Sequence, residues 1–119
     1  MTSEPKKALW EIEFYDLVAI ERALKRVTPA QLAEVIYAME SEFALFGLEV
    51  FSLGIAKWLG DGLAEYRFRR SPDLLLRFFF CVRGGKIIVI LSAYDKGRSN
   101  SKSRQQTEIV KAKKLMKKL

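Results

Sequence analysis

Apolar and acidic residues alternate at the start of the chain, and the spacing then becomes helical. The alternation over Leu9–Tyr15 predicts a half-buried strand, because successive side chains of a strand point to opposite faces. Asp16 can cap the short helix that follows, since its carboxylate can accept hydrogen bonds from free backbone N–H groups. The apolar face of that helix carries Leu17, Ile20 and Leu24.

A longer helix begins at a strong start signal. Thr28 and Gln31 form a capping box, and Pro29 stands at the first helical position. Gly47 ends the helix, and a loop is predicted from there to Leu63. The apolar residues at helical spacing, which predict a core-facing stripe, are Leu32, Val35, Ile36, Met39, Phe43 and Phe46.

Three strands are predicted in the second half of the chain. Leu63–Arg70 and Leu74–Arg83 are separated by the turn Ser71–Asp73. Gly84–Gly85 predicts a two-residue hairpin turn before the third strand, Lys86–Tyr94.

A basic helix follows the strands. The polar segment Asp95–Ser103 leads into a helix over about Arg104–Leu119. These elements predict a single domain over residues 1–119 with an α/β (α+β) fold: a small antiparallel or mixed sheet, two N-terminal helices on its apolar face and a C-terminal basic helix. The narrow apolar stripe of that last helix is Ile109, Ala112, Leu115 and Met116.

The short turns also predict how the three strands pair. They place Arg67 opposite Arg77, and Arg77 opposite Ser92. One face of the sheet is then wholly apolar and packs against the helices; it consists of Tyr66, Phe68, Leu74, Leu76, Phe78, Phe80, Val82, Ile87, Val89, Leu91 and Ala93. The other face is mixed; it carries Glu65, Arg67, Arg69, Arg77, Ser92, Tyr94 and Lys96, with Phe79, Cys81, Ile88 and Ile90 toward the glycine turn.

Two arginines directly opposite each other repel, so the predicted Arg67–Arg77 pair needs an anion beside it. One interpretation is a phosphate site in a concave sheet, since a planar guanidinium binds phosphate with two hydrogen bonds. The other interpretation is a Glu–Arg network in which Glu65 neutralises one arginine. The residues alone leave both open.

Composition narrows the classes of function. The chain has 119 residues, of which 50% are hydrophobic, and this suffices for one domain with its own core. It has no histidine, which removes the usual general base and the usual zinc ligand. Cys81 is the single cysteine and is expected to be a buried structural thiol. We find no signal peptide and no membrane-spanning run, which predicts a cytoplasmic protein.

The net charge of +7 is unevenly distributed. Residues 1–56 carry five Lys/Arg and nine Asp/Glu, whereas residues 57–119 carry sixteen and five. Such an excess of cations in one half is typical of a surface that binds a polyanion, although a solvated lysine-rich face has the same composition.

Five segments resemble the RelE/ParE toxin superfamily, and in particular its HigB-like, phage-derived toxins. Lys57–Arg69 is similar to the family segment K-x-L-G-D-G-L-x-E-x-R-x-R, and Leu76–Phe80 is similar to the strand after it. Ala93–Lys96 resembles the aromatic-plus-lysine end of the third strand. Glu108–Ala112 resembles the E-I-x-x-A of the last helix, and Trp10–Asp16 resembles the opening strand.

This resemblance implies a RelE-like fold and the toxin of a type II toxin–antitoxin system, which cuts messenger RNA on the ribosome. In that reaction the 2′-hydroxyl of one nucleotide attacks the adjacent phosphate, without a metal or another cofactor. The resemblance assigns catalysis to five residues. They are Arg67 and Arg77 for charge stabilisation, Lys96 for holding the RNA or assisting the leaving group, Tyr94 for base stacking or proton relay, and Glu65 as an arginine-orienting group or a base.

The same resemblance implies the partners. They are a helix-turn-helix antitoxin, the ribosome and messenger RNA, with no membrane and no small-molecule cofactor. The residues implied to bind RNA are Lys57, Arg69, Arg98, Lys102 and Arg104. Three alternatives stay open: a ParE-like gyrase inhibitor of the same fold, a degenerate toxin that only binds its antitoxin, and a general RNA-binding module.

Overall fold

The computed structural model describes residues 10–71, 74–98 and 101–119. Leu9 of the predicted first strand, Pro72 and Asp73 of the predicted turn, and residues 99–100 of the predicted polar loop lie outside these ranges. The elements within them are β1 (Glu11–Phe14), α1 (Leu17–Ala23), α2 (Pro29–Phe46), α3 (Glu49–Ser52), β2 (Ala56–Gly60), β3 (Leu63–Ser71), β4 (Leu74–Arg83), β5 (Ile87–Asp95) and α4 (Lys102–Met116).

The strands form one mixed sheet. Their order is β1-β5-β4-β3-β2, in which β1 runs parallel to β5 and the other neighbours are antiparallel. This is the α/β (α+β) fold that the sequence predicted, with helices packed on a small mixed sheet.

The first two helices begin at the predicted caps. The Asp16 carboxylate accepts a hydrogen bond from the backbone N–H of Ala19 at 3.0 Å. Thr28 and Gln31 exchange the two hydrogen bonds of a capping box, at 3.1 and 2.9 Å. Gly47 ends α2 with a φ of 56°, a conformation that favours glycine.

The loop predicted between Gly47 and Leu63 is wrong, because this segment contains α3 and β2. The strand β2 lies at the edge of the sheet and pairs with β3, so that Lys57 lies opposite Glu65. Its connection to β3 is the two-residue turn Asp61–Gly62, and both turn residues and the preceding Gly60 have positive φ. The strand β2 has only five residues and lies beside glycines. Its apolar and polar residues therefore alternate over too short a stretch to distinguish a strand from a loop.

The predicted turn between β4 and β5 is one residue too short. Arg83 pairs with Ile87 rather than with Lys86, so the turn contains three residues. A shift of one residue moves each following side chain to the opposite face. Val89 and Leu91 therefore lie on the face away from α1 and α2, whereas the two-residue turn placed them beneath those helices.

A β-bulge restores the predicted facing at the end of β5. The register shifts again at Leu91, which has no partner on β4. Beyond the bulge Tyr94, rather than the predicted Ser92, lies opposite Arg77. Tyr94 thus stays on the face of Arg77, as predicted, although the pairing differs.

Both faces of the sheet are covered by helices. Phe68 and Phe78 lie in the core formed with α1, α2 and α3, as predicted. The helix α4 packs on the opposite face through Ala112, beside Cys81, which is buried as predicted. Burial raises the pKa of the Cys81 thiol. Among the described helices, none has the length and apolar character needed to cross a membrane.

Candidate active site

Glu65 is a fully buried carboxylate on β3 whose two oxygens are both engaged. Its Oε1 accepts a hydrogen bond from Arg67 Nε at 3.1 Å and lies 3.7 Å from Arg77 Nε. Its Oε2 accepts a hydrogen bond from Gln105 Nε2 of α4 at 3.2 Å. Glu65 therefore orients the arginines, and it is shielded from any substrate that approaches from solvent.

Arg67 and Arg77 lie directly opposite each other, as predicted. The Arg77 side chain is only 10% exposed, whereas that of Arg67 is 39% exposed. Burial lowers the pKa of Arg77, Glu65 opposes this effect, and the charge of Arg67 lowers the pKa further. The buried Nε of Arg77 has no hydrogen-bond partner within the described residues. Arg77 is therefore a cation in an unfavourable position that a bound anion would relieve.

A cleft of about 430 Å³ opens beside these arginines. It lies where β3 continues past the end of β2, since β2 pairs with β3 only as far as Tyr66. Arg67, Arg69 and Arg77 line it. Residues of α2 and of the segment between α3 and β2 line it as well, so three arginines share one opening with a helix.

Glu42 and Tyr66 also line this cleft, although no sequence pattern links the two residues. The Tyr66 hydroxyl donates a short hydrogen bond to Oε1 of Glu42. Burial raises the pKa of Tyr66, and the hydrogen bond and charge of Glu42 raise it further, so the phenol stays protonated as a donor. A glutamate beside the buried Phe43 is ordinary at the border of an amphipathic helix, so the sequence carried no signal for this contact.

Lys96 belongs to the same group of cations. Burial lowers its pKa, the charge of Arg77 lowers it further, and Arg67 and Arg69 add to the effect against the opposite influence of Glu65. We call Arg67, Arg69, Arg77 and Lys96 the cationic cluster. Arg67 and Arg69 lie on β3, Arg77 lies on β4, and Lys96 directly follows β5. The three arginines line the cleft, whereas Lys96 is not among its lining residues.

Tyr94 lies beneath α4 rather than in the cleft. Its ring is buried and stacks on Phe79, with ring centroids 5.9 Å apart. The Arg104 guanidinium covers it at 5.5 Å from the ring centroid. Burial raises the pKa of Tyr94, and the charge of Glu65 raises it further. The Tyr94 residue is only 1% exposed, so its ring is covered by protein groups and is not accessible to an RNA base.

The five residues implied to bind RNA are spread over the basic half. Arg69 lines the cleft, whereas Arg98 and Arg104 line a separate polar cavity of about 340 Å³. Lys57 on β2 and Lys102 at the start of α4 are exposed. Within the described ranges, no group of three or more acidic, cysteine or histidine side chains could hold a metal ion.

The family of the chain is indicated by its sequence. A protein-family model described as "Phage derived protein Gp49-like (DUF891)" matches residues 22–117, from the end of α1 to the end of α4. No curated protein and no solved structure matches the chain.

We expect Glu65→Gln to lower the free energy of unfolding by about 3 kcal/mol, because removing the charge leaves Arg67 and Arg77 to repel each other in a buried site. Adding Arg77→Met to that variant should recover more than about 1 kcal/mol, since it removes the repulsion. Urea unfolding of the single and double variants measures both effects.

The control is Asp61→Asn, which removes a solvent-exposed ion pair with Lys113 at 3.1 Å. It should cost less than about 1 kcal/mol. A Glu65→Gln variant as stable as this control, or a double variant with no recovery, would contradict the role of Glu65.

Proposed function

The chain belongs to the Gp49-like family of phage-derived proteins, which are RelE-like toxins of toxin–antitoxin systems, and we propose that it is a HigB-like toxin that cuts messenger RNA on the ribosome. The observation that carries the proposal is Arg77, a buried cation opposite a second arginine at the wall of a cleft. Burial and repulsion from Arg67 both disfavour the charge of Arg77. A charge that is present at such a position is expected to serve the function of the protein. A phosphate of RNA supplies the missing anion, and a ribosomal substrate places the protein in the cytoplasm.

The proposed reaction is an attack within the RNA itself. The 2′-oxygen of one nucleotide loses its proton and forms a bond to the adjacent phosphorus, and the bond from phosphorus to the 5′-oxygen breaks. The products are a 2′,3′-cyclic phosphate and a 5′-hydroxyl. Arg67 and Arg77 stabilise the charge that develops on the phosphorane, because their paired N–H groups match two phosphate oxygens.

The leaving 5′-oxygen needs a proton, and Lys96 is the proposed donor. Its lowered pKa makes it a stronger acid than an ordinary lysine, so it gives up a proton more readily. Arg69 completes the cationic cluster by holding the phosphate backbone that enters the cleft.

The remaining basic residues are proposed to hold the ribosome and the message outside the cleft. Lys57 and Lys102 are exposed, and Arg98 and Arg104 line the separate polar cavity. These four residues therefore provide positive charge outside the cleft, which suits contacts to an RNA backbone. Tyr94 is proposed to support the sheet beneath the cationic cluster through its stack on Phe79.

We expect Arg77→Ala to reduce cleavage at least about tenfold, equivalent to about 1.4 kcal/mol of transition-state stabilisation. The melting temperature should stay unchanged or rise slightly, because the change relieves repulsion with Arg67. The assay is primer extension on a message in a reconstituted translation system. Arg83→Ala is the matched control, since Arg83 is an exposed arginine on the same strand and should leave cleavage unchanged.

Other outcomes would assign a different function. Intact messages together with inhibition of DNA supercoiling by the pure protein would favour a ParE-like gyrase inhibitor. Intact messages and normal supercoiling would leave a degenerate toxin that binds only its antitoxin. Cleavage preserved in Arg77→Ala would remove the central residue of the proposal.

An antitoxin partner follows from the family, and we propose that it is a helix-turn-helix protein encoded by the adjacent reading frame. An acidic segment of that partner would meet the basic half of the toxin, so the association rate should fall as salt rises. Co-expression should restore growth and yield a complex that co-purifies. Failure of the adjacent gene product to bind or to restore growth would refute this pairing.

A further inference from the structure

The proposed cleavage needs a base for the 2′-hydroxyl, and the chain contains no histidine to serve as one. Among the described residues, the buried carboxylates of the basic half do not meet this need. Both oxygens of Glu65 are engaged and buried. Asp95 is paired with Arg26 and lines the separate polar cavity, and Glu108 is paired with Arg104.

Glu42 is the carboxylate among the residues that line the cleft of Arg67, Arg69 and Arg77. It lies on α2, which packs on the face of the sheet that carries Tyr66, whereas the arginines project with Glu65 from the face that α4 covers. The cleft opens at the end of β3 that β2 leaves uncovered, so residues from both faces line it, and a phosphate held there by the arginines would share the opening with a carboxylate. The 2′-hydroxyl adjacent to that phosphate is within the same opening, because the ribose is bonded directly to it.

The position of Glu42 is fixed by Tyr66. The Tyr66 ring is buried, with its centroid 6.2 Å from that of Phe43 and 6.3 Å from that of Phe78. Its hydroxyl donates to Oε1 of Glu42, whereas Oε2 accepts no hydrogen bond in the part of the chain that the structure describes. A carboxylate with one oxygen anchored and the other available is arranged as a base requires.

We propose that Glu42 is the general base of RNA cleavage and that Tyr66 is its positioning residue. This inference rests on the proposed nuclease function. The carboxylate takes the proton of the 2′-hydroxyl as the 2′-oxygen bonds to phosphorus. The 5′-oxygen leaves with a proton from Lys96, and one proton then passes from Glu42 back to Lys96 through water. The alternative is that the Tyr66–Glu42 hydrogen bond only ties α2 to the sheet.

The decisive variant is Glu42→Gln, because an amide keeps the shape and can still accept the hydrogen bond of Tyr66. We expect the single-turnover cleavage rate on programmed ribosomes to fall at least about 100-fold, within the usual contribution of a general base. The melting temperature should be unchanged. The Kd for a ribosome carrying a 2′-O-methyl message should stay within about twofold of the wild-type value. Glu40→Gln, an exposed change on the same helix, is the control and should cleave normally.

A modified message distinguishes a base from an acid. Replacing the scissile 5′-oxygen by sulfur gives a leaving group that needs no proton. Cleavage of this message should be restored in Lys96→Ala and should stay slow in Glu42→Gln. Tyr66→Phe should lower the rate about tenfold without weakening binding to the 2′-O-methyl message, because the carboxylate loses its anchor.

Three results would overturn the proposal. Normal cleavage by Glu42→Gln, alongside loss of cleavage in Arg77→Ala, would refute the role of Glu42 and leave the nuclease intact. Restoration of Glu42→Gln by the sulfur-containing message would assign Glu42 to the leaving group. Absence of cleavage by the wild-type chain would refute both the nuclease and its base.

Discussion

Glu65 is the buried carboxylate on which the arrangement of the cleft depends. It accepts from Arg67, pairs with Arg77 and accepts from Gln105, so it joins β3, β4 and α4 at one point. Without its charge, two guanidinium groups on neighbouring strands would repel each other in a poorly solvated site. Because Glu65 neutralises one of them, the protein retains an excess of positive charge that is fixed in position and directed at a cleft.

The rest of the fold determines where that charge meets solvent. Helices cover both faces of the sheet, which hides Glu65 and Tyr94 beneath α4. The edge strand β2 ends before β3 does, and the uncovered end of β3 forms the cleft wall. Arg67 and Arg77 thus face a cavity that also contains the Glu42–Tyr66 pair, so cations for a phosphate and a carboxylate for a hydroxyl share one opening. This arrangement suits RNA, because a phosphate and a 2′-hydroxyl are neighbours in an RNA strand.

Local signals predicted the features that depend on short stretches of chain. The caps at Asp16 and Thr28 were predictable, because each is decided within a few residues. The opposition of Arg67 and Arg77 was predicted correctly although the predicted turn was wrong: Ser71 pairs with Leu74, and a register shift after Arg69 compensates for the shorter turn. Features set by tertiary packing were not. The β2 strand exists because β3 offers it a partner, and the bulge at Leu91 exists because both faces of β5 are buried. The contact between Glu42 and Tyr66 spans two elements, so no pattern within either one announces it.

The position of the scissile phosphate is the most direct test of the proposed role of the cleft. It can be measured by electron cryomicroscopy of the protein bound to a ribosome whose message carries a 2′-O-methyl group at the cleaved nucleotide. We predict that the phosphate lies in the cleft within hydrogen-bonding distance of Arg67 and Arg77, with the methylated 2′-oxygen turned toward Glu42. A message that runs along α4 and leaves the cleft empty would contradict the account.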